Sequence, residues 1–318
     1  MAAGRGPAHA LPDQSDAGID IAALDARSPA AFQQPRDRAV RERAIKWALI
    51  GATSVGIIVL AILLVSVFTD GLEFLSLGFL TRLPSRINPA NGGVSPGLTG
   101  TLSLMLLVAI GSFPIGIGAA LYLEEFAPKN RLTRIIETNI SNLAGVPSVV
   151  YGLLGAGLFV GMMNIGRSLL AGALTLILLI LPVIIVTSRE AIKAVPNALR
   201  EGGLGLGATK WQTTSKLVLP QALPGMITGA ILGLSRAIGE AAPILVVGAT
   251  SARFRNTSPT DLFDAFSALP INIYNYTFAP DPIFQSIAAS AIIVLLGALL
   301  LMNGVAIYFR NRAGRHNR

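Results

Sequence analysis

The chain contains no cysteine in its 318 residues, which excludes disulfide bonds and metal sites built from thiolates. Charged residues are also scarce: Asp, Glu, Lys and Arg make up 13% of the sequence, whereas soluble domains carry about 25%. Hydrophobic residues make up 52%. This balance predicts an integral membrane protein before any single segment is considered.

An apolar core is missing from residues 1–35, which mix Asp, Gln, Pro and Ala. This composition does not indicate a cleavable signal peptide and instead predicts a disordered tail. We expect a disordered cytoplasmic tail over residues 1–44, a transmembrane domain over 45–310 and a basic cytoplasmic C-terminus over 311–318.

Six apolar segments are long enough, or nearly so, to cross a hydrocarbon core that needs roughly 20 helical residues. They are Ile45–Thr69, Leu98–Leu123, Leu143–Met163, Leu169–Val186, Pro224–Val247 and Ile283–Phe309. The predicted fold class is therefore all-α, an integral membrane protein with six transmembrane helices. Pro147, in the third segment, is expected to kink it or to start a helix after a short break.

Basic residues are distributed unevenly between the two sides of this layout. With both termini in the cytoplasm, 19 Lys and Arg residues fall on cytoplasmic segments and five on external loops. Topology and attraction to anionic lipid thus explain the formal net charge of +8, without nucleic-acid binding. The sequence predicts a multi-pass protein of the cytoplasmic (inner) membrane with both termini inside.

Two external segments, Asp70–Gly97 and Thr250–Pro282, are too long to be simple turns. The second is rich in Phe and Tyr. These side chains are expected to form an aromatic belt at the membrane interface, with a docking surface for an external protein as the alternative. They are Phe263, Phe266, Tyr274, Tyr276 and Phe278.

A polar and basic stretch from Glu201 to Pro220, EGGLGLGATKWQTTSKLVLP, separates the fourth and fifth apolar segments. Pro196 suits the first turn of a helix that runs to Leu206. Gly207 suits the left-handed position that ends such a helix. The stretch therefore begins with a short helix and an ordered turn.

A second helix is predicted after this turn, because Thr209 and Gln212 have the spacing of a capping box. We expect Pro220 and Pro224 to stop that helix and to open the fifth span. The result is a helix-turn-helix element over residues 196–220 on the cytoplasmic face. It has more order than a connector needs, which favours partner binding over a long loop that folds back on itself.

The glycines of this stretch do not form a phosphate-binding loop. The pattern Gly-x-x-x-x-Gly-Lys-Ser/Thr does not occur, and Gly207 is followed by Ala208. We therefore do not expect the chain to hydrolyse ATP itself. No catalytic residue, metal site or bound cofactor is predicted in it.

The fifth segment carries a charged pair, Arg236 and Glu240, in an otherwise apolar run. Counted from Pro224 at about 1.5 Å per residue, Arg236 lies roughly 18 Å along the helix, near mid-membrane. A charge at that depth costs at least about 2.5 kcal/mol on insertion scales, so such residues face protein or water and form pairs.

At about 100° per residue, one narrow face of a continuous helix would hold this pair together with small residues. Its members are Gly225, Gly229, Gly233, Arg236, Glu240 and Pro243. Glycine at every fourth position lets another helix approach closely, so this face is expected to meet a helix or a pathway. The pair is either a structural salt bridge between helices or an oxyanion contact, in which Glu240 holds Arg236 and repels a passing anion.

The spacing within the polar stretch resembles the EAA signature of ABC-importer permeases: Glu-Ala-Ala, three residues, Gly, nine residues, Ile-x-Leu-Pro. The matching positions are Glu201, Gly207, Leu217, Leu219 and Pro220. Gly202-Gly203 stand in place of Ala-Ala, which softens the first helix by up to about 1 kcal/mol each, and Leu217 stands in place of Ile. The resemblance implies that these residues dock in a groove of a cytoplasmic ATPase and couple its closure to the membrane helices.

Further strings resemble one subfamily, the phosphate-specific permeases, over roughly residues 98–312. They are LYLEEFAP (121–128), GVPSVVYGLLG (145–155), LPVIIVTSREAIKAVPNALRE (181–201), RAIGEAAP (236–243) and ALPINIYNY (268–276). The fifth-span sequence and the last string look more like the PstA type than the homologous PstC type. The family usually has threonine after the glutamate, where this chain has Ala241.

The resemblance implies the type I ABC importer permease fold, with the core permease over residues 98–309. It also implies a pore-forming subunit of an ATP-driven, high-affinity phosphate importer that works by alternating access, with Arg236 and Glu240 in the substrate pathway. The implied partners are a PstC-type permease, a PstB-type ATPase dimer that binds ATP and Mg, an extracytoplasmic PstS-type binding protein and the lipid membrane. The alternatives are a sulfate or molybdate permease, an ATPase-independent channel or carrier, and a membrane sensor or scaffold.

Overall fold

The computed structural model describes residues 36–85, 87–249 and 255–315. The helices that define the architecture in these ranges are α1 Arg36–Gly71, α2 Leu77–Thr81, α3 Ser95–Phe126, α4 Arg131–Leu143, α5 Ser148–Met162, α6 Leu169–Lys193, α7 Asn197–Gly205, α8 Lys210–Ala237, α9 Ala242–Val247, α10 Leu269–Thr277 and α11 Ile283–Arg315. Three of them contain π-helical stretches: Tyr122–Phe126 in α3, Ala156–Met162 in α5 and Thr214–Val218 in α8. The predicted all-α class is confirmed.

The chain divides between Leu63 and Leu64 into two compact units. The described part of the first unit is the helical run over residues 36–63. Of the predicted tail, residues 1–35 lie outside the described residues, and residues 36–44 are helical. The second unit contains the end of α1 and all the helices that follow it.

Five helices in the described ranges are long and apolar enough to cross a membrane: α1, α3, α6, α8 and α11. A sixth crossing arises only if α4 and α5 count as one span, and these two helices are bent by 105°. The third span predicted over Leu143–Met163 therefore begins at the end of α4 and continues in α5, with a sharp bend between the two helices where the break was expected. Pro147 caps the start of α5 with an extended backbone (ψ 137°), as expected of a proline that begins a helix after a short break.

The fifth span is also not the single helix predicted over Pro224–Val247. Residues Ile238–Ala241 interrupt it between α8 and α9. At the interruption the Gly239 N–H reaches back only three residues, to the Arg236 carbonyl at 3.2 Å. Pro243 follows in the first turn of α9, where its missing N–H costs nothing. A glycine and a proline thus bracket a local break in the helical ladder.

Helix α6 is the most enclosed span of the second unit, since 67% of its membrane-length window is buried. It continues through Pro182 to Lys193, beyond the end predicted at Val186. Glycines on three neighbouring helices approach it so closely that an added Cβ would press on an α6 side chain. The pairs are Gly116 of α3 with Ile184, Gly155 of α5 with Thr175, and Gly225, Gly229 and Gly233 of α8 with Ala191, Thr187 and Ile184.

Hydrogen bonds tie the described segment before α10 and the first residue of α10 to the start of α3. Ser95 Oγ donates to Asn256 Oδ1 at 2.6 Å, and Ser103 Oγ donates to the Thr257 carbonyl at 3.1 Å. The Leu269 N–H completes the series by donating to an α3 hydroxyl, Thr101 Oγ1, at 2.9 Å. These bonds join stretches of chain that are more than 150 residues apart in sequence.

The aromatic residues of this segment do not form one group. Phe266 is fully buried and packs against Gly172 of α6, so it belongs neither to an interfacial belt nor to a docking surface. Phe263 and Phe278 are 70% and 73% exposed. Tyr276 stacks on Phe284 at a centroid distance of 5.7 Å. The prediction of a common aromatic role is wrong for Phe266, because a glycine on α6 leaves room for its ring.

We predict that Gly116→Leu destabilises the protein and that Gly118→Leu, two residues along the same helix, does not. A side chain at Gly116 would press into Ile184 of α6, whereas a Cβ at Gly118 meets nothing within 4 Å. Overpacking of this kind costs about 1–3 kcal/mol. Thermal unfolding of the purified membrane protein in detergent measures the difference, and equal melting temperatures for the two variants would contradict it.

Candidate functional site

The turn of the element over residues 196–220, called the EAA element below, has the predicted geometry. Gly207 is left-handed, with φ of 83°. Thr209 Oγ1 accepts from the Gln212 N–H at 3.2 Å, and Gln212 Oε1 accepts from the Thr209 N–H at 2.9 Å. The predicted left-handed glycine and capping box are both confirmed.

The second helix of the element does not stop at Pro220, contrary to the prediction. α8 runs from Lys210 through Pro220 and Pro224 to Ala237 without a break. Thr214–Val218, just before the first proline, is π-helical. This wider turn relieves the clash between a proline ring and the carbonyl four residues earlier. The second half of the EAA element and the following span are therefore one helix.

The two glycines that replace Ala-Ala have different surroundings. Gly203 is buried, and a Cβ there would lie 2.9 Å from both Leu217 Cδ1 and Thr213 Oγ1. This glycine lets α7 pack tightly on the start of α8. Gly202 is exposed, with nothing within 4 Å of an added Cβ, and nothing in the structure explains its replacement of alanine.

The EAA element exposes large apolar side chains. Leu204 is 52% exposed, Leu206 is 92% exposed and Trp211 is 61% exposed. Of the predicted coupling residues, Glu201 and Gly207 are exposed, and three are half-buried: Leu217, Leu219 and Pro220. Exposed apolar side chains next to polar ones are typical of a surface that docks another protein.

The charged pair lies at the interruption between α8 and α9. Arg236 is in the last turn of α8, and its Nε is 3.2 Å from Glu240 Oε1. The Arg236 side chain is 45% exposed and that of Glu240 is 18% exposed. Because both residues belong to one continuous segment, this salt bridge does not tie two separate helices together. The guanidinium is oriented by a carboxylate and remains accessible to a small anion.

The residues predicted on one face of the fifth span do not all share it. The three glycines of α8 face α6, whereas Pro243 packs against α5, where a Cβ on Gly152 would lie 2.7 Å from the proline Cα. Arg236 is half exposed. The interruption after α8 changes the helical phase beyond Ala237, so the single face predicted for a continuous helix is wrong for Pro243. The glycines are Gly225, Gly229 and Gly233.

Two groups of ion pairs, which the sequence analysis did not predict, join helices near the EAA element. Arg189 of α6 contacts Glu124 of α3 and Glu137 of α4, at 3.3 and 2.7 Å from Nη2. Arg200 of α7 contacts Glu125 of α3 at 2.8 Å. The sequence did contain a sign of these ion pairs, namely the two adjacent acids Glu124 and Glu125 at the end of an apolar span. Their partners lie 65 and 75 residues away, a distance over which sequence pattern does not assign contacts.

Helix α8 connects the exposed surface of the EAA element to the charged pair. It begins at the capping box and carries Arg236 in its last turn. Its 28 residues make it about 42 Å long. A displacement at one end of an unbroken helix moves the other end, so this arrangement is suited to passing movement from a docked partner to the charged pair.

Residues 112–314 match the family of the binding-protein-dependent transport system inner membrane component. Together with the helical architecture, this match defines a multi-pass permease subunit of the ABC-importer class, a transport subunit without catalytic activity of its own. The match spans more than half of the chain, and the chain therefore belongs to this family.

Several relatives are similar over most of their length. The chain is 34% identical to the probable ABC transporter permease protein YqgI of Bacillus subtilis, covering 77% of this chain and 88% of that one. It is 30% identical to the phosphate transport system permease protein PstA of Yersinia pestis, with coverage of 89% and 96%. It is 33% identical to PstA 1 of Mycobacterium tuberculosis, with coverage of 71% and 72%.

Solved structures share the fold at low sequence identity. A chain of a bacterial alginate ABC transporter, in complex with a periplasmic protein bound to an alginate pentasaccharide, aligns with a TM-score of 0.63. It is 15% identical and covers 87% of this chain and 97% of that one. A chain of the MetNI methionine ABC transporter aligns with a TM-score of 0.56 at 19% identity, covering 68% and 94%. The predicted type I importer permease fold is confirmed.

We predict that Gly207→Val disorders the turn of the EAA element and that Gly205→Val leaves it intact. A β-branched residue at φ of 83° is strained by about 1–2 kcal/mol, whereas Gly205 lies within α7 and a Cβ there meets nothing within 4 Å. Hydrogen exchange over residues 197–213 of the membrane-inserted protein measures the loss of order. Equal protection in the two variants would show that the left-handed turn is not needed.

Proposed function

We propose that the chain is one of two pore-forming permease subunits of an ATP-driven phosphate importer, in which inorganic phosphate contacts Arg236 as it crosses the membrane. The second subunit is a homologous permease of the PstC type. A PstB-type ATPase dimer binds ATP and Mg and docks on the EAA element, which requires both termini on the cytoplasmic side. A PstS-type binding protein delivers phosphate from outside.

The half-exposed Arg236 at the interruption of the fifth span is the observation that carries this proposal. Broken membrane helices are where transporters commonly bind their substrates. A guanidinium is always charged, and its planar donors match phosphate oxygens bidentately. Glu240 orients the guanidinium when the site is empty and competes with a bound anion for it, which favours release.

Relatives add support for phosphate as the substrate. Those named as PstA from Yersinia pestis and Mycobacterium tuberculosis are described by their names as phosphate transport system permeases. A permease named PstC from Mesorhizobium japonicum is also similar, at 28% identity over 89% of this chain. Similarity to both permease types agrees with a pore built from two homologous subunits.

We predict that Arg236→Ala lowers ATP-dependent phosphate uptake and that Arg236→Lys lowers it less. Hydrogen bonds to charged groups contribute about 1.5–3 kcal/mol, so loss of the guanidinium corresponds to roughly a 10- to 100-fold decrease. Lysine keeps the charge and loses the bidentate geometry. The measurement is uptake of labelled phosphate into proteoliposomes that contain the importer complex, beside uptake of sulfate and molybdate.

Arg131→Ala on α4 is the matched control, because it removes an exposed arginine far along the chain from the interruption. Assembly of the complex is checked for every variant. Phosphate uptake that survives both Arg236 substitutions would contradict the anion contact. Preferential uptake of sulfate or molybdate would show that this oxyanion, and not phosphate, is the substrate. Uptake by the reconstituted chain without the ATPase would indicate a channel or carrier.

Glu240→Gln tests the second half of the pair. Removing the negative charge leaves the guanidinium without its competitor, so phosphate is held more tightly and released more slowly. We predict a lower maximal uptake rate together with a lower apparent KM in the same proteoliposomes. Unchanged kinetics would show that Glu240 has no part in release.

A further inference from the structure

Three consecutive residues at the end of α3 contact α6 and the EAA element. Glu124 contacts Arg189 of α6, and Glu125 contacts Arg200 of α7. Phe126 lies 6.0 Å from the Trp211 ring of α8 by centroids. The Lys210 ammonium is 5.4 Å from the centroid of the same phenylalanine ring. A span that is distant in sequence thus meets both helices of the EAA element.

Arg200 makes the most extensive of these contacts. Its Nε and Nη2 donate to Glu125 Oε1 at 3.0 and 2.8 Å. Nη1 donates to the Val195 carbonyl at 2.7 Å and to Asn197 Oδ1 at 3.2 Å, and Nη2 donates to the Ile192 carbonyl at 2.9 Å. The Glu125 side chain is only 8% exposed. A single guanidinium therefore joins the end of α3, the end of α6 and the start of α7.

Helix α7 is also seated against α8, through Gly203 beside Thr213 and Leu217. It thus contacts two π-helical stretches, one with Glu125 at the end of α3 and one with Leu217 in α8. π-helical turns often occur at functional sites, because they are local departures from the regular ladder. Leu204 of α7 is exposed, while the other contacts of this helix reach two separate spans.

We infer that the Glu125–Arg200 pair is a second coupling route, through which a movement of α7 is passed to α3 in parallel with its passage along α8. Arg200 and Glu125 act as positioning residues that contact neither substrate nor nucleotide. All the N–H groups of the Arg200 guanidinium donate hydrogen bonds, and the pair is largely buried. Such a pair resists separation, so the end of α3 and the start of α7 move together. The inference rests on the proposed function, since it needs an ATPase that moves the EAA element.

The test uses the full importer complex in proteoliposomes, with phosphate uptake and ATP hydrolysis measured on the same vesicles. Glu125→Gln and Arg200→Gln each remove one charge of the pair. We expect each to lower the phosphate taken up per ATP hydrolysed by about tenfold, within the range of coupling between contacting residues, while the complex stays assembled. The double variant is expected to be no worse than either single one, because both remove the same contact.

The exposed Glu190–Lys193 pair of α6 supplies the control. Glu190→Gln and Lys193→Gln make the same charge changes on a helix of the same bundle and should leave uptake per ATP unchanged. A merely structural brace would lower assembly, hydrolysis and uptake together and leave their ratio intact. That result, or additive losses in the double variant, would overturn the inference. Absence of ATP-driven uptake in the wild type would instead contradict the proposed function, and the second route with it.

Discussion

Close approach of three helices to α6 is the constraint on which the rest of the second unit depends. Glycines on α3, α5 and α8 place backbone against Ile184, Thr175 and Thr187 of α6, with no side chain between. In a bilayer, where lipid is as apolar as leucine, such van der Waals contact is a main source of helix association. The positions of the second half of the EAA element and of Arg236 follow from this packing, because α8, which carries them, is fixed along α6.

Helix α8 combines a long unbroken run with an abrupt end. Pro220 and Pro224 lie within the run, and the π-helical stretch before them keeps it continuous. The run ends at Ala237, and Glu240 lies in the interruption that follows. The chain is thus helical along the whole of α8 and irregular where the polar group of Glu240 lies.

Local features of this molecule were predictable from sequence, and contacts between distant segments were not. The capping box at Thr209 and the left-handed Gly207 depend on neighbouring residues, and both are confirmed. Pro220 was wrongly predicted to stop the helix. The turn before it, Thr214–Val218, is π-helical and lets α8 continue through the proline, and the sequence pattern does not indicate such a turn. The Arg200–Glu125 contact joins residues 75 positions apart, and composition cannot indicate which of many charged residues meet. The candidate anion contact was found because an arginine within an apolar run is costly and therefore conspicuous.

The exposed apolar side chains of the EAA element bear on the amount of this protein in a cell. They are Leu204, Leu206 and Trp211. Leu204 and Leu206 precede α8 and Trp211 lies in its first turn, so a copy whose EAA element is uncovered exposes these apolar side chains. Proteases and chaperones act on such surfaces, and small differences in protection change abundance several-fold. Under the proposed function the ATPase covers that surface, so the lifetime of each copy would depend on how soon the ATPase binds.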